Sequence, residues 1–189
     1  LLQVKPIVGV DGSSAVAFPA VLGFDWATKI RLAEALGVPI IEIPVLPPSI
    51  PGLRLYHTLR KTILANGGRF TVGPRVSGLD VKDGRVRGAF METAANGRPH
   101  WIPADSVILA TGGLYGGGLL SDYQGNITET VANLPVANVP PIEKWADSTL
   151  LAGNGLSIHC AGVTVDAMMR PLRDGSPVYA NLYAAGRLL

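Results

Sequence analysis

A run of glycines directly after Thr111 is the part of the sequence best suited to binding a ligand through the backbone. Its members are Gly112, Gly113, Gly116, Gly117 and Gly118. Glycine has no Cβ and lets a ligand approach closely, but this spacing fits neither G-x-G-x-x-G nor the phosphate loop G-x-x-x-x-G-K-[ST]. The apolar segment 106–110 before the run is typical of a buried strand. We predict a buried strand whose end opens against a bound group; a tight exit without a ligand is the equally supported alternative.

Histidine, cysteine and serine provide little further chemistry. His57 and His100 stand apart in the sequence, and only His159 and Cys160 are adjacent, which is too close to chelate one ion. We therefore predict no metal site, a packed or capped His159, and a small buried apolar role for Cys160. The nucleophile elbow G-x-S-x-G is absent.

The composition indicates a domain with too few charged residues to cover its surface. Of 189 residues, 48% are apolar and only 16% charged. We therefore expect exposed apolar surface that meets a cofactor, a partner or missing parts of the same protein. The net charge of +2 argues against nucleic acid, and a single cysteine excludes an internal disulfide framework and fits a reducing cytosol.

Two helices and a β-meander are predicted to position the glycine run. A helix over 26–36 begins after Asp25 and ends at Gly37, and a second runs from Ser49 to about residue 65. An apolar face is predicted on each helix, with Arg54 on the polar face of the second. Strands are predicted at 39–43, 69–72, 76–81, 85–93, 98–102, 106–110, 162–166 and 181–185.

The connections are predicted from turn residues. Asp83-Gly84 and Asn96-Gly97 carry the pair that primed hairpin turns require. Residues 121–141 have no clear period and predict a crossing or cleft-lining loop, followed by a helix over 142–151. No leader or membrane-spanning segment is predicted.

Five pieces of the chain resemble flavoproteins. ADSVILATGG (104–113) resembles the strand that ends in A-T-G-G beside a bound flavin nucleotide, and LYAAG (182–186) resembles a late strand of the same fold. LPPSIPGLRL (46–55), ATGGLYGGGL (110–119), and AGVTVDAMMRPL with GSPVYANLYAAGRLL (161–172 and 175–189) resemble the B subunits of anaerobic glycerol-3-phosphate dehydrogenases. The similarity runs over most of the chain from about residue 17.

The resemblance implies a flavin cofactor, FAD or FMN, and a set of contact residues. Val76 would face the adenosine end through its backbone, and Gly186 would lie near the pyrophosphate and the ribityl chain. Many relatives carry an acid after that glycine; this chain has arginine, which could meet a phosphate instead. The residues that the resemblance assigns to the cofactor are Val76, Ala110, Thr111, Gly112, Gly113, Gly186 and Arg187. No catalytic residue can be named.

The implied fold class is α/β with α+β character: a partial flavin-dinucleotide-binding fold with a β-meander plus a substrate or cap region. Residues 1–66 and 121–160 would form the cap-like region, and residues 67–120 and 161–189 the flavin-binding part. The missing G-x-G-x-x-G strand and helix, the missing initial Met and the stop after a strand predict an excised fragment. We expect it to be inactive alone, to hold flavin weakly or not at all, and to be able to self-associate.

Two function classes follow from the resemblance. The first is a dehydrogenase subunit that oxidises glycerol 3-phosphate or a similar polyol phosphate and passes electrons toward quinone. The second is an electron-relay or assembly subunit that keeps the fold without a substrate site. Both imply partner subunits and a cytoplasmic location, free or peripheral at the inner face of the membrane. Cations that could contact a small anionic substrate, although surface or structural roles are favoured, are Arg54, Lys61, Arg170 and Arg173.

Overall fold

A computed structural model describes residues 12, 14–93, 96–146 and 155–189 of the chain. These residues fall into two compact units, one ending at Val72 and the other running from Gly73 to Leu189. Each unit is described by itself.

The first unit alternates short parallel strands with helices. Its elements are β1 (Val16–Pro19), α1 (Trp26–Leu36), β2 (Ile40–Ile43) and α2 (Ile50–Ala65). β1 and β2 are parallel, with Val16 opposite Ile40. β1 is not among the predicted strands, because four residues are too few to show a clear alternation.

Local sequence signals explain both helices. The Asp25 carboxylate accepts a hydrogen bond from the Thr28 N–H at 3.2 Å and caps α1, and Gly37 ends this helix in the left-handed conformation at φ 73°. The Ser49 hydroxyl accepts from the Gly52 N–H at 3.2 Å and caps α2. The predicted bounds of both helices are confirmed.

The placement of Arg54 on a polar, solvated helix face is wrong. Arg54, assigned to the polar face of α2, is buried, whereas the apolar side chains of both helices remain largely exposed. Arg54 is buried because its guanidinium donates to Glu42 Oε2 at 2.6 Å, to Glu42 Oε1 at 2.8 Å and to the Gly23 carbonyl at 2.7 Å. It also lies 5.1 Å from the ring centre of Trp26. The exposed apolar side chains of the two helices agree with the composition and include Trp26, Ile30, Leu55, Leu59 and Leu64.

The second unit is built around an antiparallel meander. Its strands are β3 (Arg75–Lys82), β4 (Arg85–Thr93) and β5 (Asn96–Pro103). β6 (Val107–Leu109) then pairs in parallel with β13 (Leu182–Ala184). Three small antiparallel pairs complete this unit: β7 (Leu119–Ser121) with β8 (Ile127–Glu129), β9 (Val136–Ala137) with β10 (Gly162–Val163), and β11 (Leu172–Arg173) with β12 (Ser176–Pro177).

The meander prediction is largely confirmed. Asp83 and Gly84 both have positive φ, 51° and 71°, as a type I′ hairpin turn requires. Asn96-Gly97, by contrast, belongs to β5 rather than to a turn, and Asn96 lies opposite Thr93. Residues 69–72 form no strand.

The segments after the glycine run differ from the prediction as well. β8, β9 and part of β7 occupy the segment predicted to be a loop, because strands of two or three residues carry no readable period. The helix predicted over 142–151 is a 3-10 turn, Ile142–Lys144, and its part from residue 147 onward lies outside the described residues.

Among the described residues, an apolar cluster joins the strands of the second unit. It contains Val86, Leu109, Leu119, Leu134, Val163, Leu182, Ala184 and Leu188. β6 is buried on one side only: Leu109 is in the core, whereas Ile108 is 67% exposed, so the fully buried strand predicted here is wrong. The reason is that the two-stranded β6–β13 sheet has packing partners within this unit on the Leu109 side.

The Asn181 side chain fixes β13 to the meander. Its Oδ1 accepts from the Val86 N–H at 2.9 Å, and its Nδ2 donates to the carbonyls of Val86 and Asp105, each at 2.7 Å. Because Asn181 is buried, these bonds satisfy backbone groups that would otherwise be costly to bury. They hold the start of β13 beside β6, so the two strands end side by side.

Candidate functional site

The ends of β6 and β13 form the centre of the site. The strands are parallel, with Leu182 opposite Val107 and Ala184 opposite Leu109. The N–H of Ala185 then donates to the Leu109 carbonyl at 2.9 Å. The segments that follow, 111–113 and 185–186, therefore leave the same edge of the sheet. The two segments that resemble flavoprotein strands, 104–113 and 182–186, are thus neighbours in the structure.

Several glycines of the run are required by contacts within the chain. A Cβ at Gly113 would lie 2.9 Å from the carbonyl oxygen of Arg187, and a Cβ at Gly118 would lie 2.0 Å from that of Gly112. Real side chains do not tolerate such distances to backbone atoms. At these positions glycine serves the packing of the two strand ends, whether or not a ligand is bound.

Two other glycines face open space. Gly117 and Gly186 adopt the left-handed conformation, at φ 80° and 73°, and a Cβ at either would meet no atom within 4 Å. The turn accounts for glycine at these positions. It leaves both backbones accessible to another molecule.

A small cavity, here called the strand-end cavity, lies against the glycine run. It measures about 100 Å³ and is lined by Gly112, Gly113, Leu114, Tyr115, Gly116, Ile158, His159, Ala161 and Arg187. Arg187 is exposed, and its side chain forms no hydrogen bond or ion pair with any described residue. The strand-end cavity thus combines the glycine backbone of residues 112, 113 and 116 with a positive charge that has no described partner.

His159 and Cys160 are both exposed, which corrects the buried apolar role predicted for Cys160. They belong to the 3-10 turn Ser157–Cys160, in which Ile158 is the residue that enters the core. His159 packs edge-on against Tyr115 with ring centres 5.6 Å apart. It therefore contributes a titratable group to the wall of the strand-end cavity.

A larger cavity, here called the meander cavity, is also lined by Gly116. It measures about 460 Å³ and is lined by Arg75, Val76, Thr111, Gly116, Gly117, Leu120, Thr130 and Val131. Because Gly116 lines both cavities, they adjoin each other along the turn Leu114–Gly116. The meander and the glycine run, distant in sequence, thus meet at Gly116.

The structure brings together most of the residues that the resemblance assigns to the cofactor. Val76 and Thr111 line the meander cavity, and Gly112, Gly113 and Arg187 line the strand-end cavity. Ala110 is exposed at the end of β6, and Gly186 is exposed at the end of β13, but the described walls of these two cavities include neither.

Sequence reasoning missed Glu129 and Thr130, which support the glycine run. The buried Glu129 carboxylate accepts from the backbone N–H groups of Val131 at 2.9 Å and of Ala132 at 2.7 Å. The Thr130 hydroxyl lies 3.2 Å from the Gly117 carbonyl, and its N–H donates to the Gly118 carbonyl at 3.1 Å. Both residues lie in a segment without periodicity, so no sequence signal points to them.

The cations proposed as anion contacts are mostly engaged within the chain. Arg170 forms an ion pair with Asp166 at 2.7 Å, and Arg173 donates to the Asn133 carbonyl at 2.9 Å. The backbone N–H of Arg170 and then its side chain lower the pKa of Asp166 below its ordinary value. Arg170 and Arg173, like Arg54, are therefore structural in this fold.

One observation tests directly whether a cofactor fits. The hydroxyl oxygen of Thr111 is buried and has no hydrogen-bond partner among the residues that the structure describes. A buried hydroxyl without a partner costs about 1–3 kcal/mol. With the open backbones of Gly117 and Gly186 and the free Arg187, it marks a strand end that suits a polar, anionic group.

Comparison with known proteins decides the family. The model of the FAD binding domain family matches residues 7–189. The chain belongs to this family. This confirms the predicted fold class, and it supports FAD as the cofactor; no finding supports FMN specifically.

The chain is also similar in sequence to curated relatives that are named B subunits. The chain is 34% identical to the probable B subunit of the anaerobic glycerol-3-phosphate dehydrogenase of Halobacterium salinarum, with 100% of this chain and 48% of the relative covered. It is 33% identical to the corresponding subunit of Pectobacterium carotovorum, covering 95% of this chain and 41% of the relative. It is 30% identical to that of Yersinia pestis, covering 92% and 40%. The predicted resemblance to these B subunits is confirmed.

The chain spans somewhat less than half the length of these relatives. No solved structure matches it significantly. Over the described ranges, no helix is both long and apolar enough to cross a bilayer, and no cluster of three or more His, Cys, Asp or Glu side chains could hold a metal.

Proposed function

We propose that this chain forms one side of the FAD site of a flavin-dependent dehydrogenase subunit. The observation that carries the proposal is the pair of parallel strand ends, β6 and β13, which present Thr111–Gly113 and Gly186 at one edge in a member of the FAD binding domain family. FAD, when bound, would accept electrons from the substrate. The protein's own residues bind and orient the cofactor and exclude water.

The site residues keep the roles implied by the resemblance. The Val76 backbone would face the adenosine end, while Ala110 and residues 111–113 lie against the nucleotide. Gly186 would approach the pyrophosphate and the ribityl chain, because nothing fills the space beside its Cα. Arg187 would pair with a phosphate, since it has no ion partner in the described part of the chain. FMN would use the same residues except those at the adenosine end.

The substrate proposed is glycerol 3-phosphate or a similar polyol phosphate, with electrons passed toward quinone. The support is that the matched relatives are named as anaerobic glycerol-3-phosphate dehydrogenase subunits. Other subunits would be partners, and the complex would be cytoplasmic, free or held peripherally at the inner face of the membrane by them. Residues 1–66 and 121–160 are proposed as the substrate or cap region and residues 67–120 and 161–189 as the flavin-binding part.

A second candidate is a relay or assembly subunit without a substrate site. The specific observation in its favour is that the described residues lining the two cavities include no carboxylate. Dehydrogenation of an alcohol needs a base that accepts the hydroxyl proton. Among the described residues lining the two cavities, His159 is the side chain whose chemistry suits that role. The relay function would need only the flavin and its neighbours.

Anaerobic reduction of the full-length protein distinguishes these functions. The purified protein should show flavin absorbance, and glycerol 3-phosphate should bleach it. A coloured protein that this substrate does not bleach supports the relay function. A colourless full-length protein that takes up no added FAD contradicts the whole proposal.

Two glycines provide a matched test of the site itself. Gly186 and Gly175 have similar φ, 73° and 77°, and a Cβ at either meets no atom within 4 Å. Gly186→Ala and Gly175→Ala should therefore carry the same backbone strain, about 1–2 kcal/mol. We expect Gly186→Ala alone to lower the flavin content of the full-length protein. Equal flavin content in the two variants would remove Gly186 from the site.

A further inference from the structure

The meander cavity contains a residue that neither the family match nor the relatives' names assign to any role. Arg75 is the first residue of β3 and precedes Val76 in the cavity wall. It is the one ionisable residue among those described as lining this cavity. The other lining residues are apolar, glycine or threonine. A charge at the wall of an otherwise neutral cavity raises the question of which ligand group it serves.

Arg75 has a carboxylate opposite it but does not pair with it. In the register of β3 and β4, Arg75 is the partner of Glu92. Directly opposed charges on neighbouring strands commonly interact. The ion pairs found over the described residues nevertheless join Arg54, Arg87 and Arg170 to their acids, and Arg75 forms none. Its guanidinium is therefore available to a ligand.

The rest of the cavity suits a small aromatic ring with polar attachments. Val76, Leu120 and Val131 provide apolar walls, and Thr111 and Thr130 provide hydroxyl groups. Its volume of about 460 Å³ is within the range of small-molecule sites, about 300–1,000 Å³. The strand-end cavity, about 100 Å³, is too small for such a ring and adjoins the larger cavity at Gly116.

We propose that Arg75 pairs with the phosphate of the AMP half of FAD and so makes this site select FAD over FMN. The inference rests on the proposed flavin site but goes beyond it, because it assigns the selectivity to one charge. AMP is the part of FAD that FMN lacks, so a cation serving that part discriminates between the two flavins. Arginine suits this role because its planar fork matches phosphate oxygens.

The test uses the full-length protein freed of flavin, with binding measured by flavin fluorescence and by competition. The variants are Arg75→Ala, Arg75→Lys and, as a control, Arg98→Ala, an exposed arginine on β5 of the same meander. We expect Arg75→Ala to weaken FAD about tenfold, as for loss of one charge-assisted contact. FMN affinity should change less than about twofold, and Arg98→Ala should change neither.

Two competitors separate the phosphate from the ring. AMP should displace FAD less well from Arg75→Ala by the same factor of about ten, whereas adenosine should compete equally with both proteins. Arg75→Lys should keep most of the AMP affinity, because it keeps the charge. The AMP contact should also weaken with salt in the wild type and much less in Arg75→Ala.

Four outcomes would overturn the inference. Unchanged FAD affinity in Arg75→Ala would remove Arg75 from the site while leaving the proposed function intact. Equal losses of FAD and FMN would show a general effect on folding, and equal losses of AMP and adenosine would show contact with the ring instead of the phosphate. If the full-length wild type binds no flavin, the proposed function fails and this inference fails with it.

Discussion

Arg54 in the first unit and Arg187 in the second are the same residue type in two different environments, one bonded within the chain and one exposed beside a cavity. Arg54 is buried and donates to both Glu42 oxygens and to the Gly23 carbonyl. Arg187 is exposed beside a cavity, and its side chain contacts no described acid. A fully engaged arginine serves folding, whereas a free one beside open backbone is available to a ligand. The difference marks Arg54 as a structural charge and Arg187 as a candidate for ligand binding.

The largest expected effect comes from removing the engaged arginine. Arg54→Ala leaves Glu42 buried without its partner, and breaking one side of a buried pair costs about 3–5 kcal/mol. The first unit contains both α-helices of the described chain, so denaturant titration followed by far-ultraviolet circular dichroism reports on it. The double variant Arg54→Met with Glu42→Leu should recover much of the loss. A loss below about 1 kcal/mol in the single variant would contradict the structural role.

A smaller effect is expected from the glycine run, where neighbouring positions differ. Gly118→Ala would place a Cβ 2.0 Å from the Gly112 carbonyl, and we expect a loss of about 3 kcal/mol, the upper range for overpacking. Gly117→Ala meets no atom within 4 Å and should cost only its positive-φ strain, about 1 kcal/mol.

In a Trp26→Phe background the remaining tryptophans, Trp101 and Trp145, lie in the second unit, so their fluorescence in denaturant measures this difference. Equal losses in Gly118→Ala and Gly117→Ala would mean that position 118 is glycine for its backbone conformation and not for packing.

Acid should weaken the first unit through Glu42. Its hydrogen bonds from Arg54 lower the pKa of Glu42 below the ordinary 4.5, in spite of its burial. A carboxyl with a depressed pKa stabilises the fold above its unfolded pKa and loses this contribution as pH falls through the folded pKa. The helical signal should therefore lose stability toward acid from about pH 4.5 downward.

Glu42→Gln should show lower stability at neutral pH but a flatter dependence below this range, measured as denaturant midpoints over a pH series. Asp166→Asn is the control, because Asp166 also has a lowered pKa but lies in the second unit. It should leave the pH dependence of the helical signal unchanged. A Glu42→Gln profile parallel to that of the wild type would assign the acid sensitivity to other carboxyls.

Local signals make the helices predictable, but contacts between distant residues are not. Asp25, Gly37 and Ser49 mark helix ends because a cap and its partner lie within a few residues of each other. The periodicity places Arg54 on a solvated face, since a pattern of charge cannot reveal that Glu42 lies opposite it on another element. The spacing of apolar residues likewise shows that a helix has an apolar face, but it does not show which element packs against that face.

The same limit applies to the candidate site. The pairing of β6 with β13 joins residues 75 positions apart, such as Val107 and Leu182, so spacing in the sequence does not reveal it. Density alone suggests that the glycines face a ligand, whereas Gly113 and Gly118 are required by nearby carbonyls. Arg75 cannot be singled out from the sequence because one cation at the start of a strand carries no pattern; its significance comes from the cavity that it lines.

The smallest effect on stability is expected at Arg187, the free arginine beside the strand-end cavity. Arg187→Ala removes no hydrogen bond or ion pair to a described residue, so the free energy of unfolding should change by at most about 0.5 kcal/mol in the same fluorescence titration. Its carbonyl, which packs against Gly113, is unaffected by the substitution. If Arg187 meets a phosphate, as proposed, FAD affinity of the full-length protein should fall about tenfold while stability holds. A stability loss above about 1 kcal/mol would instead place Arg187 with Arg54, among the charges that serve folding.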